Sequence, residues 1–346
     1  MTILKTNILG LASILLASLF FASCEKEPSS PIRLDAYPMV WPTDAEMPNI
    51  PVDNELTKAR VALGKKLFYD PILSIDSTIS CNSCHKQELA FADNKAVSPG
   101  IENRLGFRNA PSLANLAWLD LVNRDGGVVK LDLQASVPIE DENEMGFTLL
   151  EAAARLNKHT DYYELSLQAY GKPVDPFVIT RALGAFQRIL VSSDSPYDQY
   201  VYHNQTDALT ESQIRGMELF FSDKTGCVNC HAGFNLTNNQ FENNGLYEDY
   251  TADLGRRRVT FLPEDEGKFR VPGLRNVALT APYMHDGSLI SLEAVIEHYN
   301  SGGSNHPVKN EHIKPLYLTD MEKQDLLHFL ESLTDSTFIN NPEYRR

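Results

Sequence analysis

Two five-residue stretches carry residue types and a spacing that can do chemistry: Cys81-Asn82-Ser83-Cys84-His85 and Cys227-Val228-Asn229-Cys230-His231. Each reads C-x-x-C-H. Two thiols one helical turn apart can form thioethers to the two vinyl groups of one porphyrin, and the histidine that follows then sits under the iron as its proximal ligand. Composition alone would produce such a match about 0.002 times in a chain of this make-up. A C-x-x-C pair also serves as a redox dithiol or as half of a zinc site. Zinc needs four ligands where three adjacent ones are offered, and a redox pair has no use for the histidine. Two covalently bound haem c groups are therefore expected.

What lies on the far side of each iron sets what it does: a second strong ligand makes an electron-transfer site, and an open position admits peroxide or oxygen. After His85 no histidine occurs until His159, the next methionine is Met145, and the loop Lys86 to Asn109 offers no good haem ligand. The first haem is expected to be open. Downstream lie Gln134 and Glu144. A carboxylate there can carry a proton between the two oxygens of peroxide, and an amide can hold peroxide or water. Composition alone reads both as surface polar residues. The second haem has four candidate ligands, Met284, His285, His298 and Tyr299, and spacing does not choose among them.

The elements that must position these residues read as mainly helical. Leu56, Val61, Leu63, Leu67 and Phe68 give a helical pattern over Glu55 to Tyr69, stopped by Pro71. Helices are expected over Glu151 to Tyr170, Pro176 to Val191, Ser291 to Tyr299, and after the capping boxes Thr210–Gln213 and Thr319–Glu322, running to Phe221 and Leu333. Ser98 to Ala117 and Asn235 to Glu266 read as loops. An internal repeat recurs in order: Gly64-Lys65-Lys66-Leu67-Phe68 and Gly216-Met217-Glu218-Leu219-Phe220 precede the haem stretches. Arg108-Asn109-Ala110-Pro111-Ser112-Leu113-Ala114-Asn115 and Arg270-Val271-Pro272-Gly273-Leu274-Arg275-Asn276 follow them. The expected fold is mainly α: two cytochrome c-type haem domains in tandem, with helical insertions and long loops.

The chain has 346 residues, 42% hydrophobic, with a formal net charge of -15, which argues against nucleic acid as a partner. Four of its five cysteines belong to the haem stretches. The fifth, Cys24, follows Lys5 and an apolar run from Ile8 to Ala22, a signal-peptide core too short to span a membrane as an ordinary helix. Phe21-Ala22-Ser23-Cys24 resembles a bacterial lipobox, in which the cysteine is lipidated. A plain signal peptide with an incidental cysteine is the alternative. A periplasmic or cell-envelope lipoprotein, held to the membrane by its lipid anchor only, is the expectation, and it agrees with haem attachment outside the cytoplasm. A homodimer stays open.

With both C-x-x-C-H stretches, Arg-Asn-Ala-Pro at Arg108–Pro111, Asp125-Gly126, Gln134 ten residues before Glu144, Leu274-Arg275-Asn276-Val277, Thr280-Ala281-Pro282-Tyr283-x-His285-Asp286-Gly287 and Leu292-Glu293 in view, the chain resembles the bacterial dihaem cytochrome c peroxidases and the related MauG enzymes over roughly Glu55 to Leu333. The resemblance implies a peroxidatic N-terminal haem, with His85 proximal and Gln134 and Glu144 distal. It implies an electron-transfer C-terminal haem on His231, and a calcium ion between the haems bound by the Asn109 side chain and the carbonyls of Thr280 and Pro282, hard oxygen ligands that suit it. The expected division is 1–24 signal peptide and lipobox, 25–54 tether and arm, 55–195 peroxidatic domain and 196–346 electron-transfer domain.

Three departures stand out. The loop after His85 lacks the removable distal histidine of many relatives, so no reductive activation is expected. Tyr299 falls where the peroxidases carry an axial methionine and is the MauG-type ligand, with Met284 as its competitor. Arg124 replaces the usual tryptophan before Asp125-Gly126. The resemblance implies peroxide reduction with electrons from a small donor, a cytochrome c or a cupredoxin. A MauG-like oxidase that uses peroxide to modify a tryptophan on a partner protein is one alternative, and a non-catalytic dihaem electron carrier is another.

Overall fold

Thr57 opens the first long helix: its hydroxyl accepts from the Arg60 amide at 3.3 Å, satisfying one of the free N–H groups of the first turn. In this computed structural model, which describes residues 35–346, that helix runs over Lys58–Tyr69 and buries Val61, Leu63, Gly64, Leu67 and Phe68 against the Pro176–Arg188 helix. A Cβ added at Gly64 would overlap the Ala182 carbonyl, so the glycine lets the two backbones meet. The second half repeats the crossing. Thr210 caps the Glu211–Phe220 helix, which packs on Asp320–Glu331, and a Cβ at Gly216 would overlap the Asp325 carbonyl. The G-x-x-L-F repeat is thus a helix-crossing signature, with Phe68 and Phe220 each buried just past the contact.

The other repeated run is equally structural. Asn115 and Asn276 both take left-handed backbone, at φ 60° each, and each starts a single 3-10 turn. Their side-chain oxygens accept from the amides of Ser192 and Asp335, at 2.7 and 2.8 Å, just beyond the two partner helices. Each asparagine therefore ties its loop to the helix pair of its own half. The halves are joined by buried polar links, including Asn115 Nδ2 to Asn235 Oδ1 at 2.7 Å and Asn276 Nδ2 to the Ser192 hydroxyl at 2.9 Å.

Two hydrophobic clusters follow this arrangement, one around Leu63, Phe68, Ile139, Leu183 and Phe186, the other around Phe220, Ile296, Leu326 and Phe329. The tail crosses back, since Phe338 and Tyr344 belong to the first cluster. The mainly α expectation is met: among the described residues the sheet is a two-stranded antiparallel pair, Phe241–Glu242 with Phe269–Arg270, in register Phe241 to Arg270.

The helix expected over Glu151 to Tyr170 is two helices, Leu149–Leu156 and Thr160–Tyr170. Asn157 breaks it by donating to the carbonyls of Ala153 and Val174 and accepting from the Val174 amide. The described part of the arm is docked: the Tyr37 amide donates to Leu56, and Trp41 sits edge-on to Trp118 at 5.6 Å. The signal segment and Cys24 lie outside the described residues, among which no helix is long and apolar enough to cross a membrane.

Candidate haem sites

Ser80 and Ser83 form a capping box around the single turn Cys81–Cys84, so the two thiols leave the same side of one helical turn. The His85 amide donates to Cys81 O at 2.9 Å, and His231 repeats this with Cys227 O at 2.8 Å. Each imidazole is then oriented from behind. Nδ1 of His85 lies 2.8 Å from Phe91 O, and Nδ1 of His231 lies 2.9 Å from Leu236 O. A carbonyl only accepts, so Nδ1 carries the proton and Nε2 keeps its lone pair, the arrangement required of an iron-ligating histidine. Burial holds both rings below their usual range, which keeps them neutral.

Burial pushes Cys81 up to about 12, and it raises Cys84, Cys227 and Cys230 as well, whereas redox dithiols are depressed. Further support comes from a cavity between the halves, lined by Arg124, Arg270 and Arg275 among others and by no carboxylate. Arg275 is paired with Asp198, but Arg124 and Arg270 have no carboxylate within 4.0 Å among the described residues. Burial pushes each down to about 10, so both stay charged at neutral pH. Uncompensated guanidinium groups of this kind fit the propionates of a haem. Thiols, free Nε2 atoms and guanidinium groups together fit the porphyrin that the two motifs predict.

Glu144 lies at the first site. Its charge acts on the thiols of both Cys81 and Cys84, raising them. Its backbone is pinned by the Ile101 amide, which donates to Glu144 O at 2.8 Å, and Gly100 is required beside it because a Cβ there would overlap Asn143 O. The carboxyl is accessible to solvent yet surrounded by enough protein that desolvation, aided by Asp141, pushes its pKa up to about 7. Gln134 ends the turn Leu131–Gln134, half-buried, and its side chain has no hydrogen-bond partner among the described residues.

At the second site the four candidate ligands separate. His285 is buried and stacked on Phe269 at 4.0 Å, and Nε2 of His298 is engaged with Asn244 O at 3.0 Å. Tyr299, on the Leu292–Ser301 helix, lies among the second pair of thiols. Burial pushes it up to about 12, a hydrogen bond with Asn244 eases that, and Cys227 and Cys230 add to it. Met284 accepts from Asn244 Nδ2 at 3.2 Å through Sδ. Asn244 thus lies beside both Tyr299 and Met284. Nothing in the sequence marks it beyond its place in an Asn-Asn-Gly turn.

The expected calcium residues are partly brought together, since Asn109, Thr280 and Pro282 line one cavity, but they do not fit the ion. Arg124 donates to Asn109 Oδ1 at 2.6 Å and to Asn109 O at 2.9 Å, and the cavity has no anionic oxygen.

A family model described as di-haem cytochrome c peroxidase matches residues 58–206. The methylamine utilization protein MauG of Methylorubrum extorquens is 36% identical over 295 residues, covering 82% of this chain and 80% of its own. The cytochrome-c peroxidase IdrP1 of a Pseudomonas species is 33% identical, covering 94% and 92%. Among solved structures, a MauG-like protein associated with microbial copper homeostasis superimposes with a TM-score of 0.84 at 36% identity, over 90% of this chain and 99% of that one. With this similarity extending over nearly the whole described chain and both haem stretches intact, the protein belongs to the dihaem cytochrome c peroxidase and MauG family of oxidoreductases, whose cofactors are two haem c groups.

Proposed function

We propose that this chain reduces hydrogen peroxide to water at the Cys81–His85 site, with electrons relayed from a small donor protein through the Cys227–His231 site. Each peroxide takes up two electrons and two protons and leaves as two waters. A haem bound at the first site supplies the iron at which the O–O bond is cleaved. Cys81 and Cys84 anchor that group, and His85 holds its iron through Nε2 while Phe91 O fixes the ring. The observation that carries the reading is Glu144, a carboxyl with a pKa of about 7 whose charge reaches both thiols of the same site. Such a group takes a proton from one peroxide oxygen and returns it to the other at neutral pH. Gln134, with its amide free, orients the substrate. His231 and Tyr299 hold the second haem, with Met284 the alternative to Tyr299. Replacing Glu144 by Gln tests the reading: both haems stay and peroxide turnover falls.

A MauG-like oxidation of a tryptophan on a partner protein is the second reading. It is favoured by Tyr299 beside the Cys227 and Cys230 thiols and by the similarity to MauG. Mass spectrometry of a tryptophan-bearing secreted partner after peroxide treatment, with and without this protein, tests it. The signal segment and Cys24 support a periplasmic or cell-envelope lipoprotein anchored by its acyl chains.

A further inference from the structure

The place where the family resemblance implies a calcium ion already holds a cation of the chain's own. Arg124 reaches Asn109 with two donors of its planar fork, Nη2 to the side-chain oxygen at 2.6 Å and Nε to the main-chain oxygen at 2.9 Å. This is bidentate recognition that a lysine cannot copy. Asn109 is itself a hub. Its Nδ2 donates to Lys95 O at 3.0 Å, and its backbone amide donates to His285 O at 2.8 Å, across to the second half. Arg124 is held from behind as well, because the Arg270 amide donates to Arg124 O at 2.7 Å. Asn109 therefore links the loop after the first haem stretch to the segment that carries Met284 and His285, and the Arg124 side chain fixes Asn109.

The electrostatics point the same way. The cavity lined by Asn109, Thr280 and Pro282 also presents Arg124 and Arg270, and no carboxylate lines it. Apart from the haem propionates that Arg124 and Arg270 would pair with, a divalent ion there would find no carboxylate of the chain. Calcium takes six to eight oxygens, and both oxygens that Asn109 offers are already bound by N–H donors.

We propose that the Arg124 guanidinium is the resident cation of the junction between the two halves, occupying the Asn109 oxygens that would otherwise ligate a divalent ion, so that the protein is calcium-independent. Arg124 is a positioning residue here, acting through Asn109 on the segment around His285.

The test uses the full chain with both haems attached and has readouts apart from turnover: elemental analysis for calcium, and thermal unfolding followed at the haem absorbance, in EGTA and in millimolar calcium. The wild type is expected to retain no calcium above the buffer blank and to unfold at the same temperature in both media. A site filled about 100-fold above its dissociation constant would raise the midpoint by about 5 °C. Arg124→Met is expected to unfold at a lower temperature in EGTA and to regain part of the loss in calcium, a gain that Asn109→Ala abolishes. One calcium per wild-type chain, or a wild-type midpoint that falls in EGTA, overturns the proposal. So does an Arg124→Met protein as stable as the wild type without calcium, or one that is destabilised and takes up none. Should Arg124→Met fail to fold, Arg124→Lys decides: it keeps the charge, loses the fork, and is expected to be less stable while still indifferent to calcium. A calcium-dependent Lys variant overturns the proposal.

Discussion

Glu144→Gln isolates the proton-transfer step from everything else at the peroxide site. The substitution keeps the shape of the side chain and the backbone contact with Ile101, and it removes only the exchangeable proton. With a pKa of about 7, where an ordinary glutamate sits at 4.5, about half of the Glu144 carboxyl groups are ionised at pH 7, and both proton acceptor and proton donor are present. Loss of a positioned general acid–base costs roughly 10²–10⁴-fold. Peroxide reduction by a pre-reduced small cytochrome, measured as kcat/KM between pH 5 and pH 9, should show a limb that rises with pH through about 7 in the wild type. In the variant that limb should vanish as the rate falls by that factor. Asp141→Asn removes the second cause of the shift and should move the limb to lower pH.

Stability gives a control of opposite sign. The folded pKa of Glu144 lies above its unfolded value, so its contribution to stability is full below about pH 4.5 and is lost as pH rises through about 7. The Gln variant lacks this loss and should be at least as stable as the wild type at pH 8. A slow variant is therefore slow for chemical reasons. A Glu144→Gln protein with both haems that turns over peroxide within a few-fold of the wild type, with the pH limb intact, would refute the assignment.

Three further outcomes are expected. Tyr299→Phe should change the absorption and electron paramagnetic resonance signature of one haem and leave the other untouched, whereas Met284→Leu should change neither; the reverse pattern makes Met284 the ligand. Gly216→Ala drives a methyl into the Asp325 carbonyl, a backbone atom that cannot rotate away, and should cost about 1–3 kcal/mol in denaturant unfolding monitored at the second haem. Cys24→Ser should shift the protein from the membrane fraction to the soluble fraction of the cell envelope, and unchanged partitioning would rule out the lipid anchor.

The parts legible in the sequence were those whose physics is local. A C-x-x-C-H stretch sets its geometry locally: Ser80 caps the single turn that carries Cys81 and Cys84, and in both stretches the histidine amide closes on the first cysteine's carbonyl. The capping boxes at Thr210 and Thr319 are equally short-range and open the helices expected of them. The break at Asn157 was not legible, because it depends on an amide reaching Val174, seventeen residues on. The haem stretches, the mainly helical fold and the repeated G-x-x-L-F and Asn-bearing runs were determined by sequence alone, since each is written in neighbouring residues. Only the tertiary structure distinguishes the surroundings of Met284, His285, His298 and Tyr299: His285 stacks on Phe269, His298 Nε2 meets Asn244 O, and Asn244 lies beside Met284 and Tyr299. Arg124 looks in the sequence like a missing tryptophan, and its meaning comes from Asn109, fifteen residues away, which packing brings within hydrogen-bonding reach of its two donors.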